Sequence, residues 1–272
     1  MKKIICLLFL CALLAPQVSR AETAEVMLFP TRVVLDDAKR WATVIVKNAG
    51  DATGDYRVDL ADRKMRDDGA VVNYEPGETP QYSALPMVHA APASMTLKPG
   101  QTQEIHIIMH TPAKPLEPGE YRAHLQVHLT HPNAGQPAPG PHAGIVVHAE
   151  VVMSIPILVR VGPPSLSLSI EQPRLTHNAK GTPLVEFALV RNGNISSMGD
   201  FSVTCVSGRS PPQVIKTLPG QAVYRPLARR LVSLPLDETP PDIALAACKL
   251  SVLYTAQKDA GGKILAQVPI NP

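Results

Sequence analysis

The stretch Gly144–Arg160, GIVVHAEVVMSIPILVR, sets the strongest constraint on how this chain can fold. Every second residue from Ile145 is apolar: Ile145, Val147, Ala149, Val151, Met153, Ile155, Ile157 and Val159. The interleaved positions, from Val146 through His148, Glu150 and Ser154 to Arg160, are mixed. Alternation with period two and many β-branched residues predicts a strand, not a helix. Strands usually run about 5–6 residues, and this one has room for more than twice that. One half would suffice to cover the core of a small domain. The other half would then carry an apolar row and a free backbone edge past that core, which is what pairing with a second chain requires. A long core strand that uses the whole row internally has the same periodicity, so both uses stay open.

The N-terminus reads MKKIICLLFLCALLAPQVSRAET. Two lysines precede an apolar run, and Ser19-Arg20-Ala21 places small residues where signal peptidase reads them. This predicts a secretory signal peptide over 1–21, cleaved after Ala21. The run from Ile4 to Ala15 is too short to span a bilayer, and Cys11 follows Leu10 where a lipoprotein signal wants a small residue. No later segment is apolar and long enough to cross a membrane, so the mature chain is expected to be soluble and exported, without membrane insertion. The full chain carries 26 bases and 23 acids. Losing Lys2, Lys3 and Arg20 leaves the two equal, which argues against a nucleic-acid partner, since that needs a basic field. Of four cysteines, Cys6 and Cys11 leave with the signal. Cys205 and Cys248 remain, and an even pair in an exported chain predicts one disulfide.

Short strand-like runs separated by Gly and Pro turns fill the remainder, which points to all-β sandwiches. Val26–Leu35 reads as a first strand interrupted by Pro30, as on an edge strand or one that switches sheets. Trp41–Asn48, Asp55–Asp62, Met95–Leu97, Glu104–Met109 and Arg122–Thr130 follow, with 63–80 expected as loop. In the last of these runs Tyr121, Ala123, Leu125, Val127 and Leu129 share a face. A Pro/Gly-rich loop, 131–143, leads into the long strand. After it, Gly162-Pro163-Pro164 is a short stiff linker. Runs at 166–170, 185–190, 199–205, 228–234, 247–254 and 264–270 complete a second unit. The expected division is 22–161 and 162–272.

Four motifs now stand in order: TRVVLDD near the mature start, TLKPGQTQEI, LEPGEYRAHL and SIPILVRVGPP. Together they resemble the PapD-like periplasmic chaperones of chaperone–usher pilus systems, with departures that suggest a divergent branch. The resemblance implies two immunoglobulin-like β-sandwich domains set at an angle with a cleft between them. It implies a chaperone that holds a pilus or fimbrial subunit lacking its final strand, by donor-strand complementation, and delivers it to an outer-membrane usher. It gives the long strand a use, with Ile145, Val147, Ala149, Val151 and Met153 as donor residues. Arg32 matches the family's cleft arginine, which binds the subunit's C-terminal carboxylate; a guanidinium suits that with two parallel hydrogen bonds. The family's partner lysine is absent. Its position falls on Pro156 or Leu158, depending on the alignment, which leaves Arg122 as a candidate second cation or Arg32 alone. Glu120, Arg160 and Asp259 match a charge network between the family's domains that would fix their angle more than add stability.

Other chemistry finds little support. His106/His110 and His124/His128 are four apart, about 13 Å on a strand at roughly 3.3 Å per residue, too far to share a metal. A pairing of His128 with His148 depends on a hairpin register that the sequence does not fix. No nucleophile motif and no phosphate-binding glycine loop is present. The expectation is a binding protein, not an enzyme, with no cofactor and no metal. The alternative is a structural or adhesive tandem module of a surface assembly.

Overall fold

The structure is a computed structural model and describes residues 24–112, 115–130, 151–208, 210–237, 239, 243–257 and 261–270. Two β-sandwiches account for it. The calls on 1–21 and on Ile145, Val147, His148, Ala149 and Asp259 lie outside the described residues.

In the first sandwich, β1 (Val26–Phe29) and β2 (Val33–Leu35) come from the run broken by Pro30, and they do belong to different sheets. β1 pairs antiparallel with β3 (Trp41–Asn48), which continues through β9 (Thr102–Met109) to β7 (Val88–Ala91). β2 crosses over and pairs in parallel with β11 (Val151–Val161). That second sheet runs on through β10 (Gly119–Thr130) and β4 (Gly54–Ala61) to β8 (Ser94–Leu97). Leu35, Val44, Val46, Ile105, Ile107, Leu125, Val127 and Ile157 meet between the sheets, each at most marginally exposed. The outer face of the β1–β3–β9–β7 sheet is unusual in carrying Met27, Phe29, Trp41, Ile45 and Ile108 in solvent, with Trp41 at 65% exposure.

Residues 63–80, expected as loop, hold a small hairpin of β5 (Lys64–Met65) and β6 (Val71–Val72). Its two-residue strands are too short to leave a periodic signal. The turn between them reaches the second sandwich, where Asp67 O accepts from Leu231 N at 2.7 Å.

The second sandwich packs a sheet of β12 (Leu166–His177), β13 (Pro183–Gly193) and β16 (Arg229–Pro235) against one of β15 (Gln213–Val223), β14 (Ser197–Val206), β17 (Lys249–Ala256) and β18 (Ile264–Pro269). Val185, Leu189, Phe201, Val203, Val252 and Tyr254 form its core. β15 and β7 went unseen in the sequence. β15 carries Pro219-Gly220 in its interior and follows Pro211-Pro212, a composition that reads as turn; it is an edge strand, with register shifts that absorb the irregularity. A disulfide joins Cys205, near the end of β14, to Cys248, just before β17. Closing a loop of 43 residues, it contributes about 4 kcal/mol on the chain-entropy account.

Candidate functional site

β11 changes character partway along. Val151, Val152, Met153 and Ser154 are all exposed, while Ile155 to Val159 are all buried. Along one edge β11 pairs with β10 in the register Leu129/Val151, Val127/Met153, Leu125/Ile155 and Ala123/Ile157. The alternating row therefore belongs to a single face throughout. It lies in the sandwich core from Ile155 onward and emerges into solvent at Met153, which is 40% exposed, and Val151, at 48%. The other edge of β11 pairs with β2 only over Ile157–Val159. Among the described residues, 151–154 thus present unpaired backbone on one side and apolar side chains on both faces. That combination favours an incoming strand.

Arg32 sits at the switch between β1 and β2, where Pro30 ends one strand before the next begins, so its side chain leaves the first sandwich toward the second. Its Nη1 donates to Gln257 Oε1 and lies 2.7 Å from Met198 Sδ, both across the interface. A cavity of about 310 Å³ opens here. Arg32 and Arg160 line it together with Val34, Leu158, Met198, Tyr224, Ala256 and Leu265. The two positions at which the missing lysine was sought are both buried. Pro156 faces His124 across the β10/β11 ladder, and Leu158 packs on Ala222 and Tyr224. Arg122 does not line this cavity. Its guanidinium lies 4.2 Å from the Tyr224 ring centroid, its Nη2 donates to Arg63 O at 2.7 Å, and burial lowers its pKa. Among the described residues, the cation that lines the cavity with Arg32 is Arg160.

Glu120, 1% exposed, joins the two sandwiches. Arg160 Nε donates to its Oε2 at 3.2 Å, and the backbone N–H of Ser196 donates to its Oε1 at 3.1 Å. The Glu120 backbone N–H donates in turn to Asn194 O at 2.8 Å. Arg225 closes the group. Its guanidinium stacks 3.4 Å from the centroid of Tyr82, and its backbone N–H donates to Ser196 Oγ. Arg191, buried and with its pKa lowered chiefly by that burial, donates to the carbonyls of Gly193, Ile195 and Leu227, which fixes the loop that meets Glu120. Arg191, Arg225, Tyr224, Met198 and Gln257 stand in no motif. They are brought in by the packing of the second sandwich, and no local pattern could have singled them out.

His106 lies 3.5 Å from Thr43 Oγ1 and His128 lies 3.3 Å from Asp59. Among the described residues no three His, Cys, Asp or Glu side chains gather as for a metal, and no helix is long and apolar enough to cross a membrane.

Fold and site together define a class: two tandem β-sandwiches that offer an open strand edge beside an arginine-lined recess between them. No protein-family model matches the chain, and no curated protein matches it. Solved structures do. The YadV chaperone is similar over 90% of this chain and 99% of its own, at 10% identity and a TM-score of 0.46. The Pseudomonas aeruginosa CupB2 chaperone is similar over 90% and 100%, at 14% identity and a TM-score of 0.46. The Salmonella enterica SafA pilin in complex with the SafB chaperone gives 92% and 97%, 13% identity and a TM-score of 0.42.

Proposed function

We propose that this chain is an exported chaperone of fibre assembly. In this reading its signal peptide, 1–21, is removed, and 22–161 and 162–272 are its two domains. It binds a pilus or fimbrial subunit that lacks its last strand and delivers it to an outer-membrane usher, acting by binding and not by turnover. The observation that carries the reading is β11, whose apolar row leaves its own core between Ile155 and Met153 while, among the described residues, its edge there stays unpaired. An incomplete sandwich exposes a groove and two unpaired strand edges, and one extended strand satisfies all three. The residues 145–149 would extend the same row. Arg32 would anchor the subunit's C-terminal carboxylate, with Arg160 as the second cation in the recess.

The test is isolation of the tagged protein from the periplasm of its host, wild type beside Arg32→Glu. The expected result is a small exported protein held at one to one by wild type and lost from the variant. A protein abundant on the outer surface, with neither form retaining a partner, would replace this reading with that of a structural module.

A further inference from the structure

The outer face of the β1–β3–β9–β7 sheet is ordered by its register. Along β3 the outward side chains are Trp41, Thr43, Ile45 and Lys47. Ile108 lies beside Trp41, and His106 beside Thr43. Ile45 stands between Phe29 and Glu104, and Met27 lies beside Lys47. Apart from the half-buried Thr43, all of these are exposed. Five of them are large and apolar, and they make a patch on the order of 500 Å², at the upper end of what monomers show. The face measures about 20 Å along the strands and about 14 Å across the four of them. With its polar side chains included it approaches what a standard interface buries on each partner, about 800 Å².

We propose that this face binds a second copy of the same chain, the two sheets stacked about a twofold axis that runs across the strands. Rotation about such an axis reverses each strand and lays it over its own counterpart. With the axis between Thr43 and Ile45, Trp41 of one copy lies over Lys47 of the other, and His106 lies over Glu104. The first is a cation–π pair and the second sets an imidazole against a carboxylate; symmetry makes each of them twice. Ile45 meets the methyl group of Thr43. Met27 and Phe29 come down beyond the end of β1, over the hollow of about 380 Å³ that Pro30, Trp41 and Thr43 line. The face therefore carries both the projecting side chains and the recess for them. An axis along the strands would instead set Glu104 on Ile45 and bury a carboxylate against an apolar side chain. Charge selects the first arrangement. The sheet concerned does not contain β11, so the contact does not depend on any role of that strand.

The test is the mass of the chain from residue 22 onward, by sedimentation equilibrium from about 1 to about 200 µM. The expected result is a monomer–dimer equilibrium with a Kd on the order of 10 µM, as for an interface at the small end of the range. Glu104→Lys sets a cation against His106 and, acting twice in each dimer, weakens association about tenfold or more. Adding His106→Glu reverses the pair and returns the affinity to within about threefold of wild type. Trp41→Ala, which removes the largest apolar contact, also weakens it about tenfold or more. All of these change exposed side chains, so circular dichroism and urea midpoints should match wild type and separate loss of the dimer from loss of the fold. A chain that stays monomeric throughout overturns the proposal. So does a dimer that Glu104→Lys leaves intact, and its loss on Val151→Asp would assign it to the edge of β11. A Glu104→Lys defect that His106→Glu fails to repair overturns the stacking arrangement.

Discussion

His124, on β10, is 3% exposed and its Nδ1 has no hydrogen-bond partner among the described residues. Its ring stands edge-on to Tyr224 of the second sandwich, centroids 6.3 Å apart. Burial, and then the positive charges of Arg122 and Arg63, lower its pKa from 6.5 to about 3. The imidazole is neutral in the folded protein. Between about 6.5 and about 3 the unfolded chain binds a proton that the folded chain refuses, so stability is full above that window and falls as pH falls through it. The slope is on the order of 1 kcal/mol per pH unit. Urea unfolding at pH 7, 5 and 4 should show wild type losing stability faster than His124→Gln; equal slopes would mean that His124 titrates normally. Tyr224 responds to the same burial in the opposite sense, its hydroxyl pushed up to about 12, so it stays neutral across this range.

The division within β11 makes a prediction at the scale of the element. Val151→Asp and Met153→Asp place a carboxylate in solvent and should leave the free protein folded, with stability within about 0.5 kcal/mol of wild type. On the proposed function both should lose the bound subunit, because in the complex the carboxylate would be buried without a partner. Ile155→Asp puts the same group in the first sandwich's own core and should unfold it, at a cost above about 3 kcal/mol. Circular dichroism and co-purification separate the two classes, and an unfolded Val151→Asp would move the boundary into the core. The sequence displayed the alternation but not this boundary, because period two is the same whether a side chain meets its own core or another's. The burial of β11 begins at Ile155, two residues before β2 pairs with it, and β2 is itself a three-residue strand on the far side of Pro30. β10 shows a second limit of pattern reading. Its Tyr121-to-Leu129 face was legible, yet Arg122, His124 and Gln126 on the other face are buried too. A polar face reads as solvated until a second sandwich covers it.

For the whole molecule, the relation of the two sandwiches rests on contacts spread along the interface. Glu120 with Arg160 and Ser196 is one, the Leu158–Tyr224 apolar cluster with Met65 a second, and the hairpin turn on β16 a third. At the turn, Gly69 takes a positive φ of 86° and lies against the Arg230 guanidinium, which donates to Ala222 O and Gln221 Oε1. Gly69→Val should be strained at this φ and should also push Arg230 away. The expected result is a larger radius of gyration by X-ray scattering, with both sandwiches intact by circular dichroism; an unchanged radius would show that the turn only rests on β16. The recess between the sandwiches also borders a surface hollow lined by Pro30, Arg32, Thr43 and Trp41. Trp41 is the chain's one tryptophan and stands mostly in water. The molecule therefore carries its own optical label next to Arg32. Its emission, red-shifted in the free protein, will move to the blue when a partner covers that hollow, so occupancy can be followed in real time without attaching a dye.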